Sequence, residues 1–173
     1  MKKNLIILTG FMGTGKTAVG ERIAQRLGWR FFDLDRTIEK KERLTVSEIF
    51  SKKGERYFRK QEERILKDLC SRDKAVIATG GGSLLSEKNR QLAEKSGAVF
   101  CLMAAPEEIK RRLTNYADRP LLGQNGTKER IVKLLKIRES VYNLFPNKID
   151  TTELTPARVA GRILAHFLHE ADR

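Results

Sequence analysis

Apolar positions along the chain come in two patterns, short unbroken runs and stretches where they recur every third or fourth residue, and the alternation of the two predicts the order of the elements. Leu5 to Thr9 is a run of the first kind with glycines after it, and residues 16 to 28 then carry Val19, Ile23 and Leu27 at fourfold spacing before Gly28. Strand, loop and helix are predicted. Arg30 to Asp33 reads as a second strand, and Thr45-Val46-Ser47-Glu48 has the form of a capping box that opens a helix closed by Gly54. A long charged helix is predicted over about 56–71. Ala75 to Thr79 and Ala98 to Met103 are further apolar runs, separated by a predicted helix from Ser86 to Lys95. Pro106 begins another helix, residues 115 to 126 are polar and glycine-containing, and Thr127 to Tyr142 recovers helical spacing through Ile131, Leu134, Leu135 and Val141. Lys148 to Thr151 reads as a short strand, and Thr155-Pro156 caps a last helix carrying Val159, Ile163 and Phe167.

Continuous apolar strands alternating with helices predict an α/β fold, a parallel sheet covered on both faces, with ligands at the carboxyl ends of the strands. No repeat or linker interrupts the 173 residues, so one domain is expected over 1–173, with 115–126 as a lid between two helices. Composition changes this picture little. Hydrophobic residues at 40% and charged residues at 33% are a globular balance. The opening Met1 to Leu8 has an apolar run of only four residues that enters a glycine loop with no small-residue cleavage site, so it is not read as a signal peptide. No stretch is long enough to cross a membrane. Cys70 and Cys101 lie far apart in apolar segments and are read as free thiols, which fits a reducing cytoplasm. The net charge of +13 makes nucleic acid a partner to be weighed. Its basic residues are spread over almost every predicted helix, as in Lys52-Lys53, Arg111-Arg112 and Lys133 with Lys136, with no basic arm, so solvated helix faces and attraction for anionic substrates account for them.

Gly10-Phe11-Met12-Gly13-Thr14-Gly15-Lys16-Thr17 fills the G-x-x-x-x-G-K-[ST] pattern and sits between a strand and a helix, where a phosphate-binding loop must sit. Backbone N–H groups from Gly13 to Ala18 would face the phosphates at the helix N-terminus, Lys16 would reach the β and γ oxygens, and the Thr17 hydroxyl would coordinate Mg2+. A dinucleotide fingerprint is excluded, because Ala18 stands where its third glycine should be. Asn147-Lys148-Ile149-Asp150 matches the N-K-x-D pattern that reads guanine, but no aspartate has glycine three residues on, as a GTP switch requires. That segment is read as the start of the last strand. Asp33 and Asp35 are two apart at the end of a predicted strand, so their carboxylates are expected on one side, toward the loop. One would hold a metal water and the other a substrate hydroxyl; alternatively they end a strand and cap the next helix. Gly80-Gly81-Gly82, directly after a strand, permits close approach of backbone to a bound molecule. Arg59 lies past a Gly-Glu helix break, Arg119 precedes Pro120 in the lid, and Arg138 is on the helix after it. His166 and His169 are one helical turn apart without a third ligand and are read as surface.

Taken together, Gly10 to Thr17, Phe32-Asp33-Leu34-Asp35, the run from Ile49-Phe50 through Gly54-Glu55-Arg56-Tyr57-Phe58-Arg59 to Glu62, Gly80 to Gly82, Arg119-Pro120-Leu121-Leu122, and Arg138 followed by Tyr142 resemble the shikimate kinase family in order and spacing over nearly the whole chain. The resemblance implies a three-layer αβα P-loop fold of the nucleoside-monophosphate-kinase kind, with substrate-binding helices over about 36–62. It implies transfer of the γ-phosphoryl of ATP to the 3-hydroxyl of shikimate by a monomeric cytoplasmic enzyme of aromatic amino-acid synthesis. Asp35 would contact the reacting hydroxyl, Arg59 and Arg138 would clamp the substrate carboxylate, and the Gly80–Gly82 backbone would contact the ring hydroxyls. Arg119 would neutralise phosphate charge, and Asp33 would hold Mg2+ through water beside Thr17. The runs at 75–79 and 98–103 do not end in the aspartate of the usual P-loop magnesium motif, which puts more weight on Asp33. After Tyr142 the match is poorer, and the adenine side is expected near Thr155 and Pro156. A kinase of another hydroxy acid such as gluconate is the nearest alternative, and a nucleic-acid-associated P-loop protein a more distant one.

Overall fold

Every residue from Leu5 to Gly10 is buried, and these six form β1 at the centre of a sheet. The computed structural model describes residues 4–113 and 128–171. β2 is Arg30–Asp33, β3 Ala75–Ala78, β4 Ala98–Met103 and β5 Lys148–Asp150. Among the described residues they form one five-stranded sheet in the order β2-β3-β1-β4-β5, every pair parallel. A central strand is apolar throughout because both its faces are covered. In β1 the alternation splits cleanly: Leu5 and Ile7 join one core cluster, Ile6 and Leu8 the other.

On the Ile6 face lie α1 (Lys16–Leu27) and α8 (Pro156–Ala171), which bury Val19, Ile23, Val159 and Ile163 against the sheet. The Ile7 face is covered by α2 (Leu34–Glu42), α3 (Val46–Lys53), α4 (Glu55–Cys70), α5 (Glu87–Ser96), α6 (Pro106–Leu113) and α7 (Lys128–Tyr142). Three layers result. Each fully buried Leu, Ile or Phe in the two clusters contributes about 1.5–3 kcal/mol relative to exposure. No helix among the described residues is long and apolar enough to cross a membrane.

The local signals act as their chemistry predicts. Gly28 ends α1 in the left-handed conformation at φ 66°. The Thr45 hydroxyl accepts from the Glu48 N–H at 3.2 Å while the Glu48 carboxylate accepts from the Thr45 N–H at 2.8 Å, completing the capping box of α3. One expectation fails. β2 stops at Asp33 and α2 starts at Leu34, so Asp35 lies in the first turn of a helix instead of beside Asp33 on a strand. The cause is Asp33 itself, whose carboxylate accepts from the Arg36 N–H at 3.2 Å and acts as the N-cap. A 3₁₀ turn, Ser83–Leu85, follows the three glycines.

Candidate active site

The carboxyl ends of β1, β2 and β3 open into a cavity of 1150 Å3. Its floor is the loop between β1 and α1. Gly15 has φ 94° and caps α1 without a side chain, a conformation that glycine adopts without strain and that exposes the first N–H groups of the helix. Lys16 Nζ donates to the Gly10 and Phe11 carbonyls, both at 2.9 Å, which holds the ammonium over the loop. Thr17 Oγ1 donates to Asp33 Oδ2 at 2.7 Å, so the two residues expected near Mg2+ are in direct contact.

On the β4–β5 side the loop is fastened by residues the sequence did not single out. Buried Thr151, just past β5, donates to the Thr14 carbonyl at 3.1 Å. Arg112 of α6 donates to the Thr151 carbonyl at 2.7 Å and to the Gly13 carbonyl at 3.3 Å, and Glu108 takes its Nε at 2.7 Å. The Arg111 and Arg112 guanidiniums hold the Glu108 carboxyl down at about 2. Arg112 is therefore no part of a solvated face, and the Arg111-Arg112 pair, read from the sequence as surface charge, divides between the two settings. Asn147 and Asp150 are consumed locally, by the Val99 carbonyl and by Thr152, which agrees with their reading as strand residues.

On the β2–β3 side the site is acidic at its base and basic above. A Cβ on Gly80 would lie 2.6 Å from Asp35 Oδ1 and 2.8 Å from Glu62 Oε1, so the two carboxylates converge on this glycine and no larger residue fits between them. Arg59, on α4, donates Nη1 to Glu62 Oε2 at 2.5 Å and Nη2 to Glu55 at 3.0 Å. Glu62 stands at i+3 from Arg59, a spacing visible in the sequence as a neighbour on the helix face. Arg138, buried on α7, donates to the Gly81 carbonyl at 3.1 Å and lies over the Phe11 ring at 5.3 Å. The Tyr142 hydroxyl donates to the same carbonyl at 2.9 Å. Burial pushes the phenol up to about 12, so it remains a donor at every working pH.

Burial also pushes the Glu62 carboxyl up to about 7, against the pull of the Arg59 guanidinium, and the Asp35 carboxylate adds to the rise. The folded state thus holds a proton that the unfolded chain, with an ordinary carboxyl near 4.5, has already lost. The group's contribution to stability is complete below about 4.5 and is lost as pH rises through about 7. Glu62→Gln, which cannot titrate, is expected to flatten the decline of thermal midpoint between pH 5 and 8, measured beside the unsubstituted protein. Parallel curves would place Glu62 outside this linkage.

Lys16, Thr17, Ala18, Asp33, Asp35, Arg59, Gly80 to Gly82 and Arg138 all line the one cavity, and so do Gly13, Thr14, Gly15, Thr155 and Pro156. Arg119 and the 115–126 segment lie outside the described residues. His166 meets the Phe100 ring edge at 5.6 Å on the outer face, away from the cavity.

Chains of known kind are similar to this one. The sequence is 44% identical to the shikimate kinase of Thermodesulfovibrio yellowstonii over 162 residues, 94% of each chain, and 43% identical to that of Pelotomaculum thermopropionicum over 95% of each. The structure superposes on the shikimate kinase of Acinetobacter baumannii, solved in complex with shikimate, with a TM-score of 0.91 at 36% identity, covering 96% of this chain and 93% of that one. A gluconokinase from Sinorhizobium meliloti matches at 0.61 with 19% identity and shares the fold alone. The shikimate kinase family model matches residues 12–168, which takes in the phosphate loop from Met12 onward, both carboxylates at Gly80 and both arginines above them, and the chain belongs to that family.

Proposed function

We propose that this protein transfers the γ-phosphoryl of ATP to the 3-hydroxyl of shikimate, giving shikimate 3-phosphate and ADP. The observation that carries the reading is the juxtaposition, in one cavity, of a phosphate loop with two arginines over the Gly80–Gly82 backbone and a carboxylate at its base. Phosphoryl transfer asks a protein chiefly to position two reactants and to neutralise charge. The loop N–H groups and Lys16 take the phosphates. Arg59 and Arg138 present planar donor forks that suit the carboxylate of the acid, and Asp35 orients the attacking hydroxyl and accepts its proton as the oxygen–phosphorus bond forms. Glu55 and Glu62 hold two sides of the Arg59 fork, which fixes the direction of its remaining donors. The base of the nucleotide is assigned to Thr155 and Pro156, which line the same cavity. Arg119 is assigned to the phosphate charge on the family pattern.

The Thr17 hydroxyl and the Asp33 carboxylate are hard oxygen donors beside the loop, a set that fits Mg2+, which prefers a few protein oxygens with phosphate and water completing the shell. The ion would supply charge neutralisation on the phosphates, with Thr17 bound directly and Asp33 through water.

The test is ADP release from Mg-ATP with shikimate, gluconate or no acceptor. Release that requires shikimate is expected; equal stimulation by gluconate, or none by shikimate, overturns the acceptor assignment. A second expectation concerns Tyr142. Tyr142→Phe keeps the ring and removes one of two donors on the Gly81 carbonyl, so KM for shikimate is expected to rise about fivefold, the worth of one hydrogen bond near 1 kcal/mol, with KM for ATP unchanged. Steady-state kinetics checks it, and a change confined to kcat would contradict it.

A further inference from the structure

A second cavity of 790 Å3 lies behind the two arginines, between α4, the 3₁₀ turn and α7. Arg59, Arg138 and Gly82 line both cavities, so the two spaces adjoin at these residues. One wall of the outer cavity is aliphatic, made by Leu134, Ile137 and Val141 of α7. Ile137 is 64% exposed, an apolar surface that the acceptor and nucleotide sites leave unused. The opposite wall is cationic. Arg56 and Lys60 stand one helical turn apart on α4, while the two carboxylates of this cavity are engaged elsewhere, Glu55 by Arg59 and Glu63 by Lys88. Ser83 borders the same space; its hydroxyl is buried and has no hydrogen-bond partner among the described residues. Aliphatic surface facing uncompensated cations, with an unsatisfied hydroxyl beside them, is complementary to an amphipathic anion.

We propose that the outer cavity binds a small carboxylic acid with an apolar body, its carboxylate between Arg56 and Lys60 and its body on Ile137, and that its occupancy opposes capture of the acceptor acid. The opposition, which rests on the phosphotransfer reading above, comes from the like charges of the two acids in adjoining cavities, one held by Arg56 and Lys60 and the other by Arg59 and Arg138. Such coupling is reciprocal, so shikimate weakens the outer acid as much as the outer acid weakens shikimate.

The probe is 4-fluorobenzoate, followed by 19F line width on the full chain, with and without saturating shikimate. Binding is expected to persist when shikimate is saturating and to weaken at least about tenfold both in Ile137→Asp and in the double variant Arg56→Ala/Lys60→Ala, for loss of an apolar contact or of two charged partners. Both variants should keep the shikimate-dependent ADP release of the unsubstituted protein, since neither set of residues lines the acceptor cavity. Saturating probe is expected to raise KM for shikimate about fivefold, the lower range of intersite coupling. No broadening at millimolar probe, or binding that shikimate abolishes and both variants leave unchanged, overturns the site. An unaltered KM overturns the coupling. Line width does not depend on turnover, so failure of the phosphotransfer reading would leave the binding result standing.

Discussion

Asp35→Asn is expected to lower kcat about a thousandfold, within the range for loss of a positioned base, while leaving KM for ATP within a factor of two. The residue sits in the first turn of α2, where asparagine keeps the shape and removes the charge. Its acceptor oxygen would be replaced by a group that cannot take the hydroxyl proton. The substitution also acts on its neighbour. The Asp35 carboxylate is one of the influences that raise Glu62, so the Glu62 carboxyl should titrate lower in the variant. Rapid-quench measurement of the first turnover separates chemistry from product release. Turnover within about tenfold of normal in Asp35→Asn, together with a large loss in Glu62→Gln, would transfer the role of base to Glu62.

Arg138→Ala should raise KM for shikimate about a hundredfold and leave KM for ATP unchanged. Charge-assisted hydrogen bonds are worth about 1.5–3 kcal/mol, and a planar fork on a carboxylate lies at the upper end. Arg138 is buried, engages the Gly81 carbonyl and covers the Phe11 ring, so its loss removes the clamp and the brace of the glycine loop together. Arg138→Lys keeps a charge without the fork and is expected to fall between the two. Circular dichroism on both variants guards against a folding defect, and equal losses for shikimate and ATP would contradict the assignment.

Strand β4 and the capping box at Thr45 were legible because each is written in consecutive residues, an apolar run in one case and an i, i+3 pair in the other. The phosphate loop was legible for the same reason. Asp35 was misplaced because Phe32-Asp33-Leu34-Asp35 alternates like a strand, and only the capping competence of Asp33 decides against it. Other parts of the site are not local. Tyr142 was visible in the family pattern, but its partner, the Gly81 carbonyl, comes from a different stretch of chain, and so do Asp35 and Gly80, which folding brings up to Glu62. Arg112 looked like one more surface cation, and only folding brings it to the Gly13 and Thr151 carbonyls. Neither α7's exposed Ile137 nor the cavity behind the arginines has any sequence signature, since a helix with this polarity reads as ordinary amphipathic surface.

The strand order has a consequence for how such enzymes can diverge. With β1 in the middle, the carboxylates at Gly80 lie in the stretch between β2 and β3 on one flank, whereas Arg112 and Thr151, which fasten the phosphate loop, follow β4 and β5 on the other. A lineage could rewrite the first flank beyond Asp33 to accept a new alcohol and inherit the nucleotide grip intact. Helix α7 is the exception, because it follows β4 yet sends Arg138 and Tyr142 across to Gly81. A new acceptor therefore requires coordinated change in two distant stretches of chain, and an intermediate with only one of them altered would hold ATP without holding anything to phosphorylate.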